Sequence, residues 1–211
     1  MRSILLAILL LTSPMARAEG EDAGAFDYYV LALSWTPSWC ATEGDGRDAD
    51  QCDTGRGNGF TLHGLWPQYE VGWPSWCRTA HTDPSRRQTA AMADIMGSGG
   101  LAWHQWKKHG RCSGLGADTY FDLSRAAYTA VRRPTVLRKL TRPVELPPTV
   151  IEEAFLEANP QLGADGVTIT CRNGRIAEVR ICLSPDLTPR TCAPDVRRDC
   201  AAASAVFPPI R

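Results

Sequence analysis

The chain has 211 residues, 44% of them hydrophobic, and its 23 basic and 23 acidic residues give a formal net charge of +0. This length fits one domain with a sizeable core. The even balance excludes the strong basic surplus that is typical of proteins that bind duplex nucleic acid through its backbone.

Residues 1–18 have the pattern of a secretory signal peptide. Arg2 is followed by an apolar stretch, residues 4–11, and by the small-residue cleavage signal ARA at residues 16–18. The apolar stretch has about eight residues, whereas a membrane span needs roughly twenty, and no later stretch is long and apolar enough to span. We therefore expect residues 19–211 to form a single soluble domain that is secreted or periplasmic.

All eight cysteines lie in the exported part, and their even number predicts four disulfides in an oxidising compartment. The residues alone do not choose among the possible pairings. A zinc site is the alternative, but it requires closely spaced Cys-x-x-Cys pairs. The sequence contains none.

The first elements in chain order are two predicted core strands. Residues 26–35 (FDYYVLALSW) and 60–66 (FTLHGLW) are rich in aromatic and branched side chains, and each is followed by a proline, Pro37 and Pro67. Residues 41–59 between them are rich in glycine and aspartate and have no periodicity, which predicts a loop.

Three helices are predicted next, over residues 84–96, 101–109 and 118–131. The first stops at the glycine cluster 97–100 and the third before Pro134. The second is followed by Gly110, where we expect a left-handed cap.

The last third of the chain predicts a helix and a hairpin. Residues 149–152 (TVIE) have a capping-box pattern for a helix that runs to about residue 159. Residues 167–171 and 175–183 predict a β-hairpin with Asn173-Gly174 at its turn, while residues 192–211 are irregular. Without a regular βαβ alternation, we predict an α+β fold with a central, largely antiparallel sheet, packed helices and disulfide staples.

Three of the four histidines lie in two short segments, residues 60–66 and 101–109. A helix over the second segment has 3.6 residues per turn, which puts residues three and four apart on one face. Trp103 and Trp106 can then anchor the opposite side in the core. The first face would carry two imidazoles, an ammonium and an amide, from His104, Gln105, Lys108 and His109.

This set of groups suits the cleavage of RNA by transesterification. The reaction needs a base for the 2′-hydroxyl and an acid for the departing 5′-oxygen, and a positioned histidine, with an ordinary pKa of about 6.5, accelerates either transfer by about 10²–10⁴. Lys108 would supply a fixed positive charge for the phosphate. The structural alternative is that His63 and the tryptophans are core residues and that the basic residues only complement the helix dipole.

A metal site formed by His63, His104 and His109 is a further alternative. His104 and His109 are five residues apart, which suits a zinc pair on one helix less well than the four-residue spacing of metalloproteases. Lys108 would also repel a cation. We therefore favour acid and base catalysis.

Two segments match known active-site motifs. Residues 60–67 (FTLHGLWP) and 104–112 (HQWKKHGRC) resemble FTLHGLWP and HEWxKHGTC of the ribonuclease T2 family of secreted, base-nonspecific ribonucleases. Further likenesses lie at residues 31–40 (LALSWTPSWC), 73–77 (WPSWC) and 171–182 (CRNGRIAEVRIC). Together they span nearly the whole of the predicted mature chain.

The resemblance implies an α+β fold and a metal-independent endoribonuclease without a cofactor, which cleaves single-stranded RNA with little base specificity. His109 matches the general base and His63 the general acid, and their roles reverse when the 2′,3′-cyclic phosphate is hydrolysed to a 3′-phosphate. His104 and Lys108 match the positions that hold the phosphate.

The resemblance also implies a base pocket and a disulfide pattern. Trp66 matches an aromatic residue of the principal base pocket, where stacking tolerates every base, and Gln68 and Tyr69 are expected at its edge. The implied disulfides are Cys40 with Cys52, Cys77 with Cys112, Cys171 with Cys200, and Cys182 with Cys192.

Two positions depart from the family pattern. Gln105 replaces the usual glutamate; it keeps the shape and the hydrogen bonding but cannot titrate, so we expect lower activity or an altered pH profile. Arg111 replaces a common threonine, and either adds a cation to the site or is a solvated surface residue.

Two other functions stay open. One is a family member with weak activity that serves as a binding or signalling protein, which the intact histidines argue against. The other is a secreted module that binds glycans through its seven tryptophans, which leaves the histidine cluster unexplained. For the ribonuclease, we expect a monomer whose partner is single-stranded RNA, with no membrane and no metal.

Overall fold

The computed structural model of the chain describes residues 20–211, and the predicted signal peptide lies outside the described residues. The helices are α1 (Thr36–Trp39), α2 (Arg86–Ala90), α3 (Ala93–Met96), α4 (Gly99–Lys108), α5 (Ala117–Ala130) and α6 (Pro148–Ala158). The strands are β1 (Tyr28–Trp35), β2 (Phe60–Gln68), β3 (Val144–Leu146), β4 (Val167–Arg172), β5 (Arg175–Leu183) and β6 (Ala205–Phe207). Within this part of the chain, no helix has the length and hydropathy that a bilayer crossing requires.

The strands form a single sheet in the order β2-β1-β5-β6-β3, with β4 paired to β5. Its pairs are antiparallel, apart from one parallel contact between β5 and β6 at Arg175. The turn of the predicted hairpin has φ values of 50° at Asn173 and 70° at Gly174, as a type I′ turn requires. The α+β class and the hairpin are therefore confirmed.

The two faces of the sheet have different partners, because side chains alternate along a strand. On β1, Leu31 and Leu33 are buried in the main core. Tyr28 and Val30 lie on the other face, in a small apolar cluster with Cys182. Ser34 continues this second face beyond the cluster, where the sheet carries polar side chains instead.

A β-bulge at His63 changes the register of β2. Ala32 pairs with Gly64 and Leu33 pairs with Leu62, so His63 is an extra residue without a partner on β1. Leu62 and Leu65 are both fully buried in the main core, although residues three apart point to opposite faces of a regular strand. The bulge lets both leucines reach the core and leaves His63 half-buried on the opposite face.

Helix α4 is anchored on one side only. Its first turn is capped by Ser98, whose hydroxyl accepts a hydrogen bond from the Leu101 N–H. Trp106 is fully buried in the main core, whereas Trp103 is exposed. The prediction that both tryptophans anchor the helix is therefore wrong for Trp103, whose ring lies under the Lys107 ammonium at 5.7 Å.

The predicted left-handed cap at Gly110 is also wrong. The chain continues from α4 into a 3₁₀ turn, Gly110–Ser113, and the left-handed residue is Gly114, with φ of 76°. Gly110 is needed for close packing instead, because a Cβ at this position would lie 2.6 Å from the ring of Tyr120.

Four further predictions need correction. The capping box at residues 149–152 does not form, because α6 begins one residue earlier with Pro148 and no side chain caps it. The predicted helix 84–96 is divided into α2 and α3, and the loop 41–59 contains short π- and 3₁₀-helical turns. The C-terminal segment includes β6, which pairs with β3; three-residue strands are too short to give a periodic signal.

The four disulfides join Cys40 to Cys52, Cys77 to Cys112, Cys171 to Cys200 and Cys182 to Cys192. These are the pairs that the family resemblance implies. The Cys77–Cys112 bridge joins the segment after β2 to the turn after α4. The backbone N–H of the adjacent Trp76 donates a hydrogen bond to the Lys108 carbonyl at 2.9 Å. A disulfide and a backbone hydrogen bond therefore both hold the end of α4 against this segment.

We predict that Gly110→Ala destabilises the protein by about 1–3 kcal/mol, because the added methyl group must displace the Tyr120 ring in a packed region. Urea denaturation of the oxidised protein measures the change. Gly163→Ala is the matched control, since its Cβ would meet no atom within 4 Å, and its stability should match or slightly exceed wild type. Equal stability of both variants would contradict the packing role of Gly110.

Candidate active site

His63 is held by a buried carboxylate in the middle of the sheet. Its Nδ1 lies 2.5 Å from Oε1 of Glu178 on β5. Glu178 is only 9% exposed and also accepts hydrogen bonds from Arg180, at 3.0 and 2.8 Å, and from the Ser34 hydroxyl, at 3.3 Å. With Nδ1 engaged in this way, Nε2 is the ring nitrogen of His63 that a substrate can use.

Glu178 stays ionised in this environment. Burial raises the pKa of its carboxyl group, but the hydrogen bond from His63 and the charges of His63 and Arg180 outweigh burial and hold the pKa at about 2. The carboxylate therefore accepts the Nδ1–H of His63 across the whole working pH range.

His109 has the opposite environment. It is 6% exposed, and burial, followed by the positive charges of Lys108, His63 and His104, lowers its pKa to about 3. Its Nδ1 is buried and has no hydrogen-bond partner among residues 20–211. His109 is therefore a neutral imidazole near neutral pH, which is the form that can accept a proton.

Trp66 contacts both imidazoles. Its ring centroid lies 5.1 Å from that of His63, nearly perpendicular, and 5.2 Å from that of His109, tilted by 31°. The indole Nε1 donates a hydrogen bond to Gln105 Oε1 at 2.7 Å. A Cβ on Gly64 would lie within 2.5 Å of both of these atoms, so the glycine of the first motif makes this contact possible.

Gln105, which replaces the glutamate of the second motif, is a buried hydrogen-bond acceptor. It is 2% exposed and uses its carbonyl oxygen to orient Trp66. A titratable carboxylic acid is not needed for that hydrogen bond, because an amide oxygen accepts equally well.

The groups meet in a cavity of about 290 Å³. All five residues that were predicted for catalysis line it, and so do Trp66 and Gln68, two of the three predicted for the base pocket. Tyr69 does not line it; burial and the nearby negative charge of Glu21 raise the pKa of its hydroxyl, which lies toward the N-terminal segment. The full lining is His63, Trp66, Gln68, Trp73, His104, Gln105, Lys108, His109, Arg180, Asp195 and Val196.

Lys108 is the cation of α4 that lines this cavity. Its neighbour Lys107 is bound to Asp83 at 2.9 Å, and Arg111 lies 3.7 Å from the same carboxylate. Arg111 is thus neither a part of the cavity nor a freely solvated side chain. His104 is exposed, and its ring centroid lies 5.8 Å from that of Trp76, with the two rings nearly perpendicular.

The three histidines of the cavity do not form a metal cluster in the described part of the chain. Their ring nitrogens do not gather within 4.8 Å of one another. The one group there with such spacing is Cys40, Asp45 and Cys52, and its two cysteines are joined by a disulfide.

The sequence motifs missed Glu178 and Arg180. Both residues lie inside a recognised segment, but no role could be assigned to them from a single sequence. The available signal was their spacing, since two charged side chains alternate with buried Val179 and Ile181 on a core strand, which marks one face as functional or ion-paired.

Comparison with known proteins gives a consistent result. The model of the Ribonuclease T2 family matches residues 26–192. A ribonuclease from Aeromonas hydrophila is 46% identical over 123 residues, which are 57% of this chain and 54% of that protein. The chain spans about half the length of several curated relatives that it matches.

Two solved structures share the fold. An RNase-related protein from Calystegia sepium has a TM-score of 0.68 at 20% identity, over 87% of this chain and 97% of that chain. A mutant of RNase MC1, solved in complex with 5′-UMP, has a TM-score of 0.65 at 22% identity, over 86% of this chain and 98% of that chain.

We predict that His109 makes folding stability pH-dependent. Its pKa is about 6.5 in the unfolded chain and about 3 in the folded one, so the unfolded state binds the extra proton as the pH falls. Its contribution to stability is complete above pH 6.5 and is lost progressively toward pH 3. Between pH 7 and pH 4, wild type should lose about 3 kcal/mol more than His109→Gln.

Urea denaturation at the two pH values measures this difference. His81→Gln is the control, because His81 is exposed and its ring contacts the Gly114 carbonyl oxygen and no charged group among residues 20–211. This variant should keep the wild-type pH dependence. An unchanged pH dependence in His109→Gln would show that His109 titrates normally in the folded protein.

Proposed function

Since the chain belongs to the ribonuclease T2 family, we propose that it is an endoribonuclease that cleaves single-stranded RNA with two histidines. The observation that carries the proposal is the unequal pair of imidazoles in one cavity. Burial keeps His109 neutral, while Glu178 accepts a hydrogen bond from Nδ1 of His63 and leaves Nε2 available to a substrate. Neighbouring groups in different environments are how one site provides both a base and an acid.

In the first step, neutral His109 accepts the proton of the 2′-hydroxyl, and the 2′-oxygen attacks the phosphorus. The bond from phosphorus to the 5′-oxygen breaks, and Nε2 of protonated His63 donates its proton to that oxygen. Lys108 and His104 stabilise the negative charge of the pentacoordinate phosphorane. The products are a 2′,3′-cyclic phosphate and a free 5′-hydroxyl.

In the second step, the two histidines exchange roles. His63 accepts a proton from water, the resulting hydroxide attacks the cyclic phosphate, and His109 donates the proton it took earlier to the departing 2′-oxygen. The product is a 3′-phosphate, and both side chains return to their starting protonation states. No step requires a metal ion or a cofactor.

We assign the base of the attacking nucleoside to the His109 side of the cavity. Trp66 and Trp73 offer aromatic faces there, and stacking on such faces is tolerant of base identity. Gln68 and Asp195 provide polar atoms at the edge. Structures of two proteins with a similar fold, RNase MC1 and RNase NT, were solved in complex with 5′-UMP and with 5′-AMP. These complexes support a nucleotide site with little base specificity.

The same proposal covers location and assembly. Four disulfides are stable in an oxidising compartment, and residues 1–18 have the features of a leader that directs export. We propose that residues 19–211 act as one secreted or periplasmic catalytic domain. A monomer suffices, because one chain supplies every residue of the mechanism.

We predict that the purified oxidised protein cleaves all four homopolymeric RNAs in excess chelator and releases 2′,3′-cyclic phosphate ends. His63→Ala and His109→Ala should each lower the rate by about 10²–10⁴, because each removes one proton transfer. His81→Ala is the matched control and should keep the wild-type rate.

Chromatography of the products over time measures both steps. A folded wild-type protein that does not cleave RNA would favour the binding role, and activity that is lost to chelator would favour a metal site. Near wild-type rates in either active-site variant would contradict the two-histidine mechanism.

We also predict that Glu178→Gln lowers kcat by roughly tenfold or more with little change in KM, because Nδ1 of His63 loses the ionised acceptor that orients it. The pH profile of kcat should change as well, whereas a loss of stability alone would not change it. Glu145→Gln, at an exposed position of β3, is the control. Kinetics on a dinucleotide across the pH range decide between these outcomes.

A further inference from the structure

A second, larger cavity adjoins the active site. Its volume is about 730 Å³, against about 290 Å³ for the first. The two cavities share His63, His104 and Arg180, but His109, Lys108 and Trp66 line only the smaller one. The larger cavity, which we call the acid-side groove, therefore extends from the active site in the direction away from His109.

The floor of the acid-side groove is a row of polar side chains across the sheet. Thr61 pairs with Ser34, Ser34 with Glu178, and Glu178 with Thr170. Neighbouring strands are about 4.8 Å apart, so a row across four strands is about 14 Å long. All four residues line the groove, so its floor offers hydroxyl and carboxylate groups to a bound ligand.

The far end of the groove carries two arginines. Arg47 is bound to Glu43 at 3.0 Å, and Arg172 forms an ion pair with the other oxygen of the same carboxylate. The cluster thus has one net positive charge. The side chains of Arg47 and Arg172 remain 68% and 65% exposed, so both guanidinium groups have donors left for an anion.

Unsatisfied polar atoms also line the groove. The Ser38 hydroxyl and the Gln51 carbonyl oxygen are buried without a hydrogen-bond partner in the part of the chain that the structure describes, and both residues line the groove. Buried polar atoms nearly always have a partner. Trp39, half-buried beside them, adds an aromatic face on which a base can stack.

The chemistry of the proposed function decides which part of an RNA enters this groove. The acid protonates the leaving 5′-oxygen, so the leaving nucleoside lies on the His63 side. The groove has more than twice the volume of the cavity that we assign to one nucleoside. It therefore has room beyond the leaving nucleoside.

We propose that the far end of the acid-side groove is a phosphate subsite, in which Arg47 and Arg172 bind the phosphate on the 3′ side of the leaving nucleoside. This inference rests on the proposed function and extends it from a dinucleotide to a longer substrate. Internal cleavage of RNA chains is then faster than cleavage of a terminal dinucleotide, because only the longer chain carries the second phosphate.

The test compares two substrates that differ by that phosphate alone, the dinucleotide UpA and the same molecule with a 3′-phosphate, UpAp. Wild type should cleave UpAp with a kcat/KM about tenfold higher, as expected for charge-assisted hydrogen bonds to a phosphate. The advantage should shrink with added salt, since the arginines are exposed. In the double variant Arg47→Ala, Arg172→Ala, the ratio of the two rates should fall to about one.

Arg175→Ala is the matched control. Arg175 pairs with Arg172 across the hairpin, and its substitution removes one positive charge where the double variant removes two. Because Arg175 does not line the groove, this variant should keep the wild-type ratio. Equal rates on UpA and UpAp in an active wild type would overturn the subsite, as would a preference that survives in the double variant. Failure to cleave UpA at all would instead overturn the proposed function.

Discussion

The position of the active site depends on the hydrogen bond between His63 and Glu178. A carboxylate in the middle of a sheet is costly to bury unless its charge is paired and its oxygens are hydrogen-bonded, and Glu178 meets both conditions. Its partners come from three strands: His63 from β2, Ser34 from β1 and Arg180 from β5 itself. The pairing register of these strands therefore also fixes the orientation of the imidazole.

The bulge in β2 is the backbone feature that this bond requires. Without the extra residue, alternation along the strand would turn either Leu62 or Leu65 away from the main core. With it, Leu62 and Leu65 contribute to the main core while His63, Gly64 and Trp66 are available to the opposite face. Burial of the leucines thus stabilises the arrangement that presents the histidine.

The two histidines that contact Trp66 differ in their environments. The indole contacts both rings and is oriented by Gln105. His109 is buried, whereas Nδ1 of His63 is bonded to the Glu178 carboxylate. The usual acid at position 105 is absent, and the oxygen of Gln105 accepts the indole N–H. The smaller cavity and the acid-side groove meet at His63, His104 and Arg180, which line both.

The sequence by itself determined the features that depend on neighbours in the chain. The hairpin at Asn173-Gly174, the helix face with His104 and Lys108, and the two histidine motifs were all predictable, because turn residues and helical spacing act within a few positions. Glu178 was not predictable, since it meets His63 across 115 residues. The bulge, the need for glycine at position 110 and the displacement of Tyr69 from the cavity likewise became visible only in the tertiary structure. Each depends on which distant side chain fills the adjacent space, and long-range packing and strand register, not local propensity, decide that.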